Sequence, residues 1–205
     1  MKPHEIEQKS FAIIDGEAGD HGYPADQWPI VRRMIHTTAD FEYIKDTRIH
    51  PEAVAAGIDA IRSGRAIFTD TNMARVGIRQ HQLEPFGGQV CCLMADEAVA
   101  RLAAEKGITR AKAAVDAVAD RLDNGIYVVG NAPTALLRLI ERIRQGQTRP
   151  ALVVGLPVGF VNAAESKAEL LELDTPYITN VGRKGGSNVA AAVVNALIIQ
   201  ARSDG

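Results

Sequence analysis

From residue 66 onward the chain repeats one rhythm: a short unbroken apolar run, a few turn residues, then a stretch of helical periodicity. The runs are 66–69, 90–94, 126–129, 151–154 and 177–180, and the stretches that follow are 71–79, 95–106, 132–145, 163–173 and 187–201. A strand with one face in water alternates apolar and polar residues. These runs do not, so they read as strands covered on both faces, as in a parallel sheet. Successive βα units with right-handed crossovers then place helices on both sides of that sheet. Ahead of this rhythm the chain reads helical at 3–14, 25–39 and 51–63, with Pro51 as an opener and Gly64 as a stop. The expectation is an α/β chain, a single domain over 1–205, with a mostly parallel five- or six-stranded sheet of Rossmann-like form. A length of 205 residues suits one such domain, and no repeat or low-complexity linker divides it.

Sheets of this kind bind ligands beyond the carboxyl ends of their strands. That rule selects five segments: 70–72, the Asp96 turn, 130–134, 155–162 and 182–188. Asp70, Asn131, Asn162 and Ser187 stand where N-caps would stand, and Asn162 with Glu165 has capping-box spacing. Helix N-termini converging on one edge favour anions, and the glycines of GLPVGF and GRKGGS allow close backbone approach. Residues 182, 185 and 186 do not make GxGxxG, and there is no P-loop, Gly-x-Ser-x-Gly elbow or zinc-type Cys/His pair.

A net charge of −2 gives no field that would gather nucleic acid or an anionic membrane, so an anionic ligand must be held by local groups. The polar start MKPHEIEQKS lacks the apolar core of a signal peptide, and no apolar run has the length of a membrane span. Adjacent Cys91 and Cys92 cannot frame a disulfide fold and read as buried free thiols of a reducing compartment. A cytoplasmic protein is expected.

On a helical wheel Ile30, Val31, Met34, Ile35 and Thr38 share one stripe, and His36 projects roughly opposite its middle. His36 therefore faces solvent, a partner or a ligand, and imidazole is the side chain matched to proton transfer near neutral pH. His4, His21, His50 and His81 read as solvated. A metal pair of His36 with Asp40 has no third ligand in view. Arg75, Arg79, Arg110, Arg183 and Lys184 are the cations to weigh. Arg110, after a Thr109 N-cap, opposes its helix dipole, which an anion there would explain.

Six stretches, Ile6 to Ile14 (IEQKSFAII), Arg33 to His36 (RMIH), Gly130 to Leu136 (GNAPTAL), Gly155 to Val161 (GLPVGFV), Ala163 to Lys167 (AAESK) and Gly182 to Ser187 (GRKGGS), resemble the precorrin-8X methylmutase family, in family order over nearly the whole chain. The resemblance implies an isomerase that moves one methyl group from C-11 to C-12 of a corrin precursor in vitamin B12 biosynthesis. It implies a homodimer with active sites between subunits and no bound cofactor; cobalt, if present, enters with the substrate. The family's catalytic histidine matches His36, its substrate-binding serine matches Ser10, and a pocket arginine matches Arg110. Where some members carry a pocket threonine this chain reads Gly77-Ile78-Arg79-Gln80, and Arg79 takes its place as a carboxylate ligand. Asp70, Asn131, Thr134, Gly159, Lys184 and Ser187 complete the expected substrate contacts, with Met34 and Val or Phe side chains against the ring. Thr69 to Met73 (TDTNM) looks more like the members that use a cobalt-loaded substrate. A non-catalytic corrinoid carrier and a nucleotide-dependent α/β enzyme are the rival readings.

Overall fold

Five apolar runs do become five parallel strands, joined by a sixth that the apolar pattern does not announce. The computed structural model describes residues 2–203. In chain order the strands are β1 (Thr47–Ile49), β2 (Ile67–Thr69), β3 (Val90–Cys91), β4 (Ile126–Val129), β5 (Leu152–Gly155) and β6 (Tyr177–Asn180). They form one sheet in the order β1-β6-β5-β4-β2-β3. All pairs are parallel except β1 with β6, where Thr47 stands opposite Asn180. Every residue of β4 and β5 is buried, as continuous apolar runs demand. The edge strand β1 is three residues long with an exposed arginine at its centre, so neither length nor composition marks it.

Among the described residues there are ten α-helices: α1 (Pro3–Ala18), α2 (Trp28–Thr38), α3 (Tyr43–Asp46), α4 (Ala53–Arg62), α5 (Asn72–Gly77), α6 (Glu97–Lys106), α7 (Arg110–Val118), α8 (Pro133–Arg144), α9 (Ala163–Leu170) and α10 (Ser187–Ser203). On one face α2, α4 and α10 close over Ile67, Ile126, Val128, Leu152, Val154 and Ile178. On the other, α7, α8 and α9 cover Phe68, Tyr127, Val129 and Val153. Helix α10 is the central beam, packed on α2, α4 and α5. On α2, Ile30, Val31, Met34 and Ile35 are at most 1% exposed, each contributing about 1.5–3 kcal/mol of burial. Gly57 lets α4 approach: a Cβ there would lie 2.9 Å from Leu152 Cδ2 and 3.0 Å from Leu197 Cδ1.

Gly64, with φ +64°, ends α4 as expected, its N–H donating to the Ile61 carbonyl. Thr109 and Asp96 cap α7 and α6 through their side chains. The other expected caps are different. Thr71, not Asp70, caps α5 by accepting from the Ala74 N–H at 3.1 Å. Ala132, not Asn131, precedes α8 and carries no side-chain cap. Asn162 has φ +61°, and no side-chain bond caps α9; a cap oxygen reaches the free N–H groups from β-region backbone, so the box with Glu165 does not form. Ser187 lies inside α10 as its first residue.

Candidate active site

The site is built on the solvent side of α2. Its apolar stripe of Ile30, Val31, Met34 and Ile35 fixes the helix on α10 and the sheet, so a residue two positions after Met34, roughly opposite the middle of that stripe, must face outward. His36 is that residue and is exposed. Helix α1 lies alongside, docked through Asp15, which accepts from Trp28 Nε1 and from Arg32 at 2.8 Å each. Helix α2 ends three residues after His36 with Ala39 in the left-handed region, its N–H donating to the Ile35 carbonyl.

Two cavities meet at the imidazole. The first, about 280 Å³, is lined by Glu7, Arg33, His36, Thr37, Arg79 and Asn195, with Asn188 and small residues of α10 completing the wall. The second, about 300 Å³, has Ser10, Ile13, Ile14, Ile35, His36 and Phe41 among its lining residues and is mostly apolar. His36 is the residue common to both. It makes no hydrogen bond or ion pair among the described residues, and its sole ring contact is edge-on to Phe11, with centroids 5.2 Å apart. Both nitrogens are therefore free to exchange a proton with a ligand.

Glu7 organises the polar cavity. Arg33 lies 3.2 Å from its carboxylate and Arg79 3.6 Å. Burial works to raise the Glu7 pKa, but attraction to Arg33 and a hydrogen bond from it, then Arg79 and His36, leave it below the usual carboxylate range. Desolvation lowers the pKa of Arg33 without bringing a guanidinium near neutrality. The cavity thus holds one carboxylate against two permanent cations. Ser10, in the other cavity, donates its hydroxyl to the Ile6 carbonyl at 2.9 Å.

The remaining candidates are distributed differently from expectation. Asp70 is 1% exposed and accepts from the N–H groups of Gly130, Asn131 and Ala132 at 2.8, 2.9 and 2.7 Å. Burial raises its pKa, against the pull of those donors. It is a brace between the loops after β2 and β4 and is closed to ligand; Thr71 takes the cap and frees Asp70 to turn inward. Ser187 is 7% exposed, with its hydroxyl 2.8 Å from that of Thr71. The loops touch closely here, since a Cβ on Gly130 would lie 2.7 Å from the Ser187 Cα. Lys184 is bound by Asp40 and Glu42, just beyond α2, so it is a tether rather than a free cation. Its hydrogen bond to Asp40, then that to Glu42, raises its pKa. That tether also occupies Asp40, and no group of three His, Cys, Asp or Glu able to hold a metal occurs among the described residues.

Gly159 donates its N–H to the Arg183 carbonyl at 3.2 Å, tying the loops after β5 and β6, and Arg183 lies over the exposed Phe160 ring. Asn131 is exposed beside them in sheet order. Arg110 is exposed at the start of α7, and Thr134 accepts from Thr109 at 3.4 Å; helix packing brings these two together, apart from the two cavities. Arg75 is held by Asn72. Met34 is fully buried and cannot reach a ligand. His21 is not solvated but stacked on Trp28 at 3.7 Å, and His50 packs against Tyr177. Cys91 and Cys92 are free and half-buried rather than buried. Glu7, Arg33, Phe11, Asn188 and Asn195 were not among the expected site residues. A signal existed for two of them: Glu7 stands three before Ser10 and Arg33 three before His36, the spacing of helix neighbours.

Fold and site together define a class, the α/β proteins that carry a histidine on the wall of a ligand-sized cavity. The comparisons narrow it. The family model for precorrin-8X methylmutase matches residues 5–200. A cobalt-precorrin-8 methylmutase of Priestia megaterium is 47% identical over 203 residues, 99% of this chain and 90% of that protein. A precorrin-8X methylmutase of Pseudomonas aeruginosa is 43% identical, covering 94% and 93%. The solved structure of precorrin-8x methyl mutase from Thermus thermophilus superposes with a TM-score of 0.92 at 49% identity, covering 98% of each chain. The chain belongs to the precorrin-8X methylmutase family and is an isomerase.

Proposed function

We propose that His36 is the acid/base group for migration of a methyl from C-11 to C-12 of a corrin precursor, giving hydrogenobyrinate or its cobalt form, cobyrinate. The observation that carries this reading is the place of His36, on the ridge between a cation-lined cavity and an apolar one. A corrin precursor has that same division, an apolar macrocycle rimmed by carboxylates. Ser10 and the aliphatic wall of the second cavity face the ring, and Arg79 takes a rim carboxylate. Charge-assisted bonds from a guanidinium suit that role.

Proton transfer is the part of the reaction that this chain's residues perform. His36 donates a proton to the ring, the methyl shifts in a 1,5-sigmatropic sense, and loss of a proton leaves the product; no atom is gained or lost. The reaction needs no bound cofactor. Cobalt-precorrin-8 is the favoured substrate, since relatives of 44–47% identity carry that name; the metal is then part of the substrate. Arg110 and Thr134, away from the two cavities, serve the site as part of a homodimer in which the partner closes the cleft. Asn131 and Gly159, in the loops after β4 and β5, add backbone and amide contacts to the substrate in that same dimer. Free half-buried thiols support a cytoplasmic setting, and no described helix is long and apolar enough to cross a membrane.

The test is to incubate the protein and His36→Ala with cobalt-loaded and metal-free substrate and follow the visible spectrum. Catalytic conversion by the parent and none by the variant, with product still bound by both, is expected. A fully active variant refutes the role of His36. A parent that gives only a stoichiometric spectral shift is a carrier.

A further inference from the structure

A catalytic histidine is usually oriented by a hydrogen bond to its second nitrogen. His36 has no such partner among the described residues, yet it must present a nitrogen to the ligand. Among the described residues its one ring contact is with Phe11, whose ring meets the imidazole at 65° and 5.2 Å, while Glu7 and Arg33, paired with each other on the wall of the same cavity, make no hydrogen bond to it. That T-shaped arrangement is the favoured one for two aromatic rings.

Phe11 is itself held. The guanidinium of Arg32 lies over its ring at 4.4 Å from the centroid and that of Arg33 at 5.2 Å. Each arginine is anchored in turn by a carboxylate of α1: Arg32 by Asp15 at 2.8 Å and Arg33 by Glu7 at 3.2 Å. Arg32 keeps this pose although its Nε is buried with no hydrogen-bond partner, so its contacts are spent on Asp15 and the ring. The Asp15–Arg32 and Glu7–Arg33 pairs thus bring two anchored guanidiniums onto one phenyl ring, and that ring meets the imidazole.

We propose that Phe11 is the positioning residue of His36, replacing a hydrogen-bonded orienter by an aromatic contact fixed through two cation–π pairs. This rests on His36 being the acid/base group. An aromatic orienter restrains the imidazole without drawing on either nitrogen, which leaves both nitrogens to the ligand, as donor or acceptor according to protonation. It also joins Ser10 to His36, since Phe11 follows Ser10 directly on α1.

The experiment compares Phe11→Leu, Phe11→Tyr and His36→Ala in the full chain. Phe11→Leu keeps apolar bulk and removes the ring; kcat should fall about 3–10-fold, with KM changed less than about twofold. Phe11→Tyr restores the ring and should recover most of that loss. Proton NMR of the ligand-free protein gives the second readout: the ring-current displacement of the His36 imidazole protons should vanish in Phe11→Leu and persist in Phe11→Tyr. If kcat and the imidazole shifts are unchanged in Phe11→Leu while His36→Ala is inactive, the positioning role fails and the catalytic reading stands. An active His36→Ala overturns both.

Discussion

Two carboxylates in this molecule each face two arginines, and the difference between them separates scaffold from site. Asp116, on α7, receives Arg138 at 2.7 and 2.9 Å and Arg142 at 3.0 and 2.8 Å, and its side chain is 5% exposed. Glu7, on α1, receives single contacts of 3.2 and 3.6 Å and is 32% exposed. The first geometry gives both carboxylate oxygens guanidinium donors, three on Oδ1 and one on Oδ2, and leaves the side chain closed to a ligand. In the second, Arg79 is loosely held and opens on a cavity, so a ligand carboxylate can compete for it. Paired charges that are close, doubled and dry hold a fold; paired charges that are long, single and half-wet are available for binding.

The largest effect should come from breaking the tight set. Asp116→Ala leaves two guanidiniums partly buried without their acceptor and should cost about 2–4 kcal/mol in urea unfolding, with kcat of the folded fraction unchanged. Lys167 sharpens the comparison, because it is a buried cation with no carboxylate bonded to it. It is 1% exposed and donates to the Asn180 amide oxygen at 3.1 Å and the Lys184 carbonyl at 2.6 Å. Desolvation brings its pKa down to about 8. Between that value and the ordinary lysine value the unfolded chain binds more protons than the folded one. Stability should therefore rise with pH from about 8 to about 10.5, by roughly 2–3 kcal/mol. Lys167→Met should lose this rise in parallel melts at pH 7.5 and 9.5; a rise of equal size in the variant would show that Lys167 is not its source.

The loose set should give the reverse of Asp116. Arg79→Met is expected to change the unfolding free energy by less than about 1 kcal/mol but to weaken product binding about 10–100-fold, the worth of a charge-assisted bond. Equal binding by the variant would remove Arg79 from the site. The smallest effect belongs to Glu7 itself. Its folded pKa is depressed, so its contribution is present above the unfolded carboxylate value and fades as pH falls through the lower folded value. Glu7→Gln should flatten acid stability by about 0.5–1 kcal/mol near pH 4, seen as a smaller loss of melting temperature between pH 6 and 4.

Much of the frame was legible because burial leaves a mark in composition. The run at 126–129 is β4 residue for residue, and that at 177–180 is β6. The stripe on α2 located the core side of that helix, and with it the outward direction of His36. Strand β1 escaped because three residues at an edge need no apolar pattern. The Asp70 assignment failed for a different reason. An acid before a helix looks like a cap, and only the nearness of Gly130, sixty residues on, shows that its oxygens have better donors elsewhere.

By itself the sequence determined the parallel α/β frame, the exposure of His36 and the family, since periodicity and motif order are properties of the chain taken in line. Tertiary structure decided which cations are free. Lys184 and Asp40 lie 144 residues apart, and nothing in either neighbourhood shows that one neutralises the other. It also decided what holds the histidine, since Phe11 and His36 meet only when α1 docks on α2. Charge pairing and ring contacts act over a few ångströms of space, and distance along the chain carries no record of them.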